Sequence, residues 1–404
     1  MSRPPDARAR RRDSLRLRSR VRRRRSAPQP EALQALRATD YHFTDGNRLE
    51  LYREGRAGLS AMLEAIEGAR RQIHFETYIL RADHVGTRLL SLLATRARAG
   101  VEVRVLYDAI GSLGLAPLAL EELRAAGADV VAFNPLRRML LRLTPMQRDH
   151  RKILVIDDEV GFVGGLNVGD EYVESRWRDA HVRVAGPVVR ALQAAFLESW
   201  FRADAPDPPW SQMLEPLPEA AGDERLAVLA DGPTYHRRRM RDLFVAALDT
   251  ARRRVRIASP YFIPGPRILA AMMRAVDRGV AVELITAGTT DHPALRWAAH
   301  SRLRRLLRRG VRVYEVEGSM MHAKIAVFDE GWAIVGTSNL DRQSLRHSYE
   351  VNLIIDGGDF PGRLSNSLDD DLRCGRELSP EDLGRTSALV RWRNDAAALV
   401  LRHL

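Results

Sequence analysis

Two four-residue apolar runs, Ile153-Leu154-Val155-Ile156 and Ile325-Ala326-Val327-Phe328, read as buried strands. Each ends in an acidic turn, Asp157-Asp158-Glu159 or Asp329-Glu330-Gly331. A second apolar run then leads to Gly164-Gly165-Leu166-Asn167 or Gly336-Thr337-Ser338-Asn339, so each place predicts a hairpin. What precedes the hairpins also repeats. A strand over 73–80, a helix ending at Gly100 and a strand over 101–108 match a strand over 255–263, a helix ending at Gly279 and a strand over 280–286. Each series continues through a helix ending in glycine, Gly127 or Gly310, into a strand over 128–133 or 311–316. Strands alternating with helices predict an α/β layered domain. A chain of 404 residues has room for two of them.

The pattern divides the chain into an arginine-rich tail over 1–30, a first half over 31–205, a proline-rich linker over 206–222 and a second half over 223–404. The linker region has five prolines and few periodic apolar positions.

The repeat carries chemistry. Only two lysines occur in the chain, Lys152 and Lys324; the other 62 of its 64 Lys and Arg residues are arginine. Both lysines sit in the same frame, H-x-K-x4-D-x6-G-x2-N. The first copy is His150, Lys152, Asp157, Gly164 and Asn167; the second is His322, Lys324, Asp329, Gly336 and Asn339. A sequence that uses arginine wherever charge suffices keeps lysine where a compact ammonium is required. On an extended segment, positions i and i+2 put imidazole and ammonium on one face. Glycine at the end of the hairpin permits close backbone approach to a ligand.

Two imidazoles, two ammoniums and two amides suit a phosphodiester. A neutral histidine can attack phosphorus and form a phosphohistidine. The opposite histidine, protonated, can release its proton to the departing alkoxide and later take one from the incoming nucleophile. Lysines and asparagines would hold the non-bridging oxygens. No metal or cofactor is called for, and no zinc cluster, P-loop or dinucleotide fingerprint is visible. Because each half offers one motif histidine, the active site is expected in a cleft between them.

These residues resemble the HKD motifs of the phospholipase D superfamily. The flanks Arg148-Asp149-His150-Arg151-Lys152-Ile153, Gly164-Gly165-Leu166-Asn167-Val168 and Trp177-Arg178-Asp179-Ala180-His181 are similar to bacterial cardiolipin synthases of the short kind without membrane-spanning helices. The likeness runs from about residue 40 to about residue 360. It implies two phospholipase D-like α/β/α halves forming a pseudo-dimer, and a carboxylate that orients each histidine. By position, Asp179 would serve His150 and Glu350 would serve His322. Among the six catalytic motif positions, Asp157 and Asp329 are expected to brace the hairpins more than to touch substrate. Thr337 stands where the family has serine and keeps the hydroxyl. Gln343 and Ser348 replace an arginine and an asparagine expected there, which bears on head-group contacts.

The resemblance further implies a phosphatidyl transferase that joins two phosphatidylglycerols into cardiolipin and releases glycerol. The nucleophile is His150 or His322, with His150 favoured. A hydrolase releasing phosphatidic acid would use the same residues. A phosphodiesterase or nuclease is disfavoured because the body lacks concentrated positive charge. A non-enzymatic lipid-binding scaffold does not need both motifs complete.

Charge sharpens the choice of partner. The net charge is +12, but residues 1–25 hold twelve arginines and two aspartates, leaving about +2 for the rest. Such a tail, nearly devoid of apolar residues, is expected to be disordered. Each bound basic residue is worth roughly 1 kcal/mol at an anionic leaflet. Membrane attachment is favoured over nucleic-acid binding or an uncommitted solvated tail. The segment Leu136-Arg137-Arg138-Met139-Leu140-Leu141-Arg142-Leu143 suits a bilayer interface or, equally, a helix with one buried face. No run approaches a membrane span, and no secretory h-region is present. With a single cysteine, Cys374, the expected location is peripheral, on the cytoplasmic side of a bacterial inner membrane. Oligomeric state stays open.

Overall fold

The computed structural model describes residues 42–135, 147–174, 177–206, 218–233, 239–290, 292–384 and 388–400. The 1–30 tail, most of the 206–222 linker and the segment Leu136 to Leu143 lie outside the described residues.

Seventeen strands are described. The first half contributes β1 (Thr44–Glu54), β2 (Gln72–Thr77), β3 (Glu102–Asp108), β4 (Asp129–Phe133), β5 (Arg148–Asp149), β6 (Ile153–Ile156), β7 (Val160–Gly164) and β8 (Trp177–Ala185). The second contributes β9 (Glu224–Asp231), β10 (Arg254–Ala258), β11 (Ala281–Ala287), β12 (Arg312–Val316), β13 (Met320–Met321), β14 (Ile325–Phe328), β15 (Trp332–Gly336), β16 (Ser348–Asp356) and β17 (Gly375–Leu378).

In the first half, β2, β3 and β4 pair in parallel, and β2, β6, β7, β8 and β1 continue antiparallel. The second half repeats this with β10, β11 and β12, then β14, β15, β16 and β9. The two series meet where β1 pairs with β9, Thr44 opposite Leu226.

The motif strands explain how the layers form. Along β6, Leu154 and Ile156 join an outer core with the first-half helices, whereas Ile153 and Val155 join a central core. Along β14, Ala326 and Phe328 face the second outer core while Ile325 and Val327 face the same central one. Alternation by two, with both faces apolar, makes each strand the middle of a sandwich. The central core takes residues from both halves, including Val182, Trp200, Val351 and Phe360, and locks them into one body. Full burial of each such side chain contributes about 1.5–3 kcal/mol.

The strands predicted over 73–80 and 255–263 end at Thr77 and Ala258. Beyond those points the chain leaves the sheet and keeps one bridge in each half, Leu80 to Val168 and Phe262 to Leu340. The periodicity also did not announce β5 and β13. Each is only two residues long and pairs, in parallel, with a strand of the opposite half: β5 with β16 and β13 with β8.

Candidate active site

That exchange of β5 and β13 builds the site. In the first ladder Arg148 lies opposite Ser348 and Asp149 opposite Tyr349, so His150 follows opposite Glu350. In the second, Met320 lies opposite Trp177 and Met321 opposite Arg178, so His322 follows opposite Asp179. The His150 amide donates to Tyr349 O (2.9 Å), and the His322 amide donates to Arg178 O (2.7 Å).

The carboxylate partners are therefore the reverse of those expected from sequence. His150 Nδ1 lies 3.0 Å from Glu350 Oε2, and His322 Nδ1 lies 2.8 Å from Asp179 Oδ2. Spacing along the chain suggested partners within one half; the crossing of β5 and β13 supplies them from the other. Either arrangement leaves Nε2 of each ring for the cavity.

Both histidines line one cavity of about 380 Å³ between the halves, with Asn167 and Asn339. Lys152 and Lys324 are almost wholly buried, and each ammonium turns back to the carbonyl of its own motif histidine, at 2.9 and 2.6 Å. The Lys152 ammonium also lies 5.1 Å from the centre of the Tyr78 ring. Asn167 accepts from the Ile79 amide at 3.3 Å, whereas the buried Asn339 Oδ1 has no hydrogen-bond partner among the described residues.

The remaining motif positions hold the frame. Asp157 accepts from the amides of Arg70, Arg71 and Gln72 at 2.7–2.9 Å. Asp329 does the same for Arg252, Arg253 and Arg254 at 2.7–2.9 Å. Both sit at the turn of their hairpin, the end away from the histidines, and brace it. Gly164 and Gly336 lie tight against the next strand: a Cβ at either would fall 2.2 Å from Ala180 O or 2.4 Å from Val351 O. They are glycines because the neighbouring strand passes too close for a side chain. Thr337 is fully buried; its hydroxyl donates to Glu350 and accepts from the Val351 amide (3.0 Å). It positions the carboxyl that holds His150.

Electrostatically the two sides differ. Burial pushes the Glu350 carboxyl up to about 8, outweighing Thr337 and Lys152, so it keeps its proton at neutral pH. Burial acts on Asp179 in the same direction, but the His322 interaction and Lys324 prevail and hold it at about 2. Burial, reinforced by Lys152 and Lys324, holds His150 well below its usual range. His322 is lowered as well, by burial and Lys324, with Asp179 pulling the other way. Burial draws the Lys152 ammonium down to about 7. One imidazole thus faces a neutral acid and the other a fixed anion.

Sequence reading missed the walls. Tyr78, Tyr172 and Trp177 from the first half, with Tyr261 and His292 from the second, line the cavity. Trp177 lies 5.2 Å from the His322 ring and Tyr78 lies 5.0 Å from the His150 ring. These residues carry no spacing signal, because they lie outside the H-x-K frame, Trp177 at the start of β8 and the others between the strands. Gln343 and Ser348 do line the cavity, and Gln343 Nε2 donates to Ser348 Oγ at 3.3 Å. The positions expected to meet a head group are in place with shorter, uncharged side chains.

Two imidazoles aimed into one cavity from symmetric halves, with buried lysines beside them, define a phospholipase D-like phosphodiester site. The protein family described as cardiolipin synthase, PLD-like domain, matches residues 62–200 and 244–372. A cardiolipin synthase of Geobacillus kaustophilus is 36% identical over 356 residues, covering 86% of this chain and 70% of its own. Cardiolipin synthase A of Pseudomonas putida is 36% identical over 361 residues, 88% of this chain and 74% of its own. The chain belongs to the phospholipase D-like family of cardiolipin synthases. Its fold matches the crystal structure of a phosphatidylserine synthase from Haemophilus influenzae, with a TM-score of 0.73 at 15% identity, covering 93% of this chain and 99% of that one. Among the described residues no helix is long and apolar enough to cross a membrane.

Proposed function

We propose that the chain is a phosphatidyl transferase making cardiolipin from two phosphatidylglycerols. The observation that carries this reading is the convergence of His150 and His322, each held by a carboxyl from the opposite half, on one cavity.

His150 Nε2 attacks the phosphorus of the first lipid, forming a P–N bond as the P–O bond to glycerol breaks. His322, whose imidazolium the ionised Asp179 favours against burial and Lys324, gives its Nε2 proton to the leaving glycerol oxygen. The free hydroxyl of a second phosphatidylglycerol then gives a proton back to His322 and attacks phosphorus. The P–N bond breaks and cardiolipin leaves. Lys152, Lys324, Asn167 and Asn339 take the non-bridging oxygens, where charge concentrates in the transition state. His150 is assigned the nucleophile because its lowered basicity leaves the ring neutral, with no ionised carboxylate beside it to favour the imidazolium.

The reading extends to location. The protein works at the cytoplasmic face of the inner membrane as a peripheral enzyme, held by the Arg-rich tail and residues 136–143. Support for this is the concentration of twelve arginines in residues 1–25.

The test is a product assay on phosphatidylglycerol vesicles by mass spectrometry, with His150→Ala and His322→Ala proteins as blanks. Cardiolipin with equimolar glycerol supports the transferase. Phosphatidic acid in its place would mean that water takes the phosphatidyl group, and would replace this reading with a hydrolase.

A further inference from the structure

The catalytic cavity has a neighbour. A second cavity of about 790 Å³ opens on the second half and shares Ile263 and Arg342 with the first. Six arginines line it, Arg241, Arg267, Arg302, Arg305, Arg342 and Arg346, and no acidic side chain does among the described residues. Arg241 is paired with Asp242 at 2.8 Å. Arg267, Arg302 and Arg305 form no ion pair among the described residues, and Arg302 Nε is buried without a hydrogen-bond partner.

The wall of this cavity includes the start of the helix Pro266–Asp277, whose N-cap is Gly265. No side chain caps that end and no acidic residue stands in its first turn. Open amides at a helix N-terminus attract anions.

The first half shows what is missing. Counting from the paired bridges, Asp83 is the equivalent of Gly265 and Asp170 is the equivalent of Arg342. Asp83 caps the helix His84–Arg98 by accepting from the Gly86 amide at 3.0 Å, and Asp170 accepts from the Val85 amide at 2.8 Å. Two carboxylates thus close the first helix end. In the second half one is deleted to glycine and the other is reversed to arginine, so the same amides are left for an outside anion.

We propose that this cavity binds the phosphodiester of the second, accepting phospholipid, whose free hydroxyl then reaches the histidine cavity next door. The inference rests on the transferase reading above. A product with two phosphates joined through one glycerol requires two anion sites side by side. The histidine cavity is one, and the arginine cavity adjoins it. Arginine forks and helix amides match phosphate oxygens in geometry as well as charge.

The test uses the full chain with two variants. Gly265→Asp puts back the first half's cap. The backbone at 265 (φ −67, ψ 166) is that of an N-cap, and an added Cβ meets nothing within 4 Å. Its melting temperature should therefore not fall. The second variant combines Arg267→Ala, Arg302→Ala and Arg305→Ala. Two reactions are followed on phosphatidylglycerol vesicles: cardiolipin formation, and exchange of labelled free glycerol into phosphatidylglycerol. The second reaction uses an acceptor with no phosphate. Vesicle sedimentation is measured alongside.

Both variants should lose cardiolipin formation by about tenfold or more, the loss expected for one charge-assisted contact, while glycerol exchange falls much less. Equal loss of both reactions, or loss of vesicle sedimentation in parallel, would instead assign the cavity to general membrane docking and overturn the proposal. Unchanged cardiolipin formation in both variants would overturn it alone. A native protein that exchanges glycerol or releases phosphatidic acid but never forms cardiolipin would remove it together with the transferase reading.

Discussion

Asp179 and Glu350 occupy equivalent places in the two halves, one residue position on β8 and the matching one on β16. Their environments divide them. Gly165 leaves room for the short Asp179 carboxylate, where a Cβ would stand 2.0 Å from Oδ1. At the matching position Thr337 fills that space and bonds the longer Glu350. The first carboxyl is held at about 2 and the second rises to about 8. A duplicated frame thus yields two histidines at equivalent places, each held at Nδ1 by a carboxyl of different proton affinity. Symmetry brings the pair together, and the departures from it set their two carboxyls apart.

The sharpest way to break the comparison is to remove each histidine. His150→Ala and His322→Ala should each lower transfer by about 10⁴-fold or more, because each acts in a unit that fails as a whole. They should differ with a substrate whose leaving group needs no proton. His322→Ala should then recover its first step, whereas His150→Ala should not, as burst kinetics would reveal.

Lysine should prove as necessary in one half as in the other. Lys152→Arg and Lys324→Arg should each cost about 10²–10³-fold in kcat, since a buried guanidinium cannot take the place of the compact ammonium beside the histidine carbonyl. Full activity in either would overturn the reason for the two surviving lysines.

The carboxyls should respond unequally. Asp179→Asn removes an anion that favours protonated His322, so the His322 pKa falls and the acid form is lost at lower pH. The alkaline limb of the pH–rate profile should shift to lower pH, with a loss of about 10²-fold at neutrality. Glu350→Gln replaces a carboxyl that already holds its proton below about 8 and should cost only about tenfold or less. Equal losses would erase the distinction between the halves.

The smallest effect on activity belongs to the braces. Asp157→Ala and Asp329→Ala each release three backbone amides at a hairpin turn and should lower stability by about 2–4 kcal/mol in denaturant unfolding. At temperatures where the protein stays folded, kcat should change little.

Much of this was legible in the sequence, for a physical reason. The α/β repeat, the hairpins and both His-Lys pairs depend on local periodicity and fixed spacing, which a chain cannot hide. The pairing of His150 with Glu350 was not legible. It depends on β5 and β13, two-residue strands that cross to the other half and have no period of their own. The glycines were visible, but the close neighbouring strand that excludes a side chain there was not. Tyr78 and Trp177 were invisible as cavity walls because only the fold makes them neighbours of a histidine, Tyr78 beside His150 of its own half and Trp177 beside His322 of the other. Asp83 and Gly265 look alike in sequence as turn residues; their different charge acquires meaning only when the halves are superposed through their bridges.

The central claim is that His150 attacks and His322 moves the proton. The most direct measurement is acid quenching during turnover of phosphatidylglycerol, followed by peptide mass spectrometry under conditions that preserve phosphohistidine. The account predicts a phosphatidyl adduct on the peptide carrying His150, and none on the peptide carrying His322. An adduct on His322 alone would reverse the roles of the two halves and contradict the account.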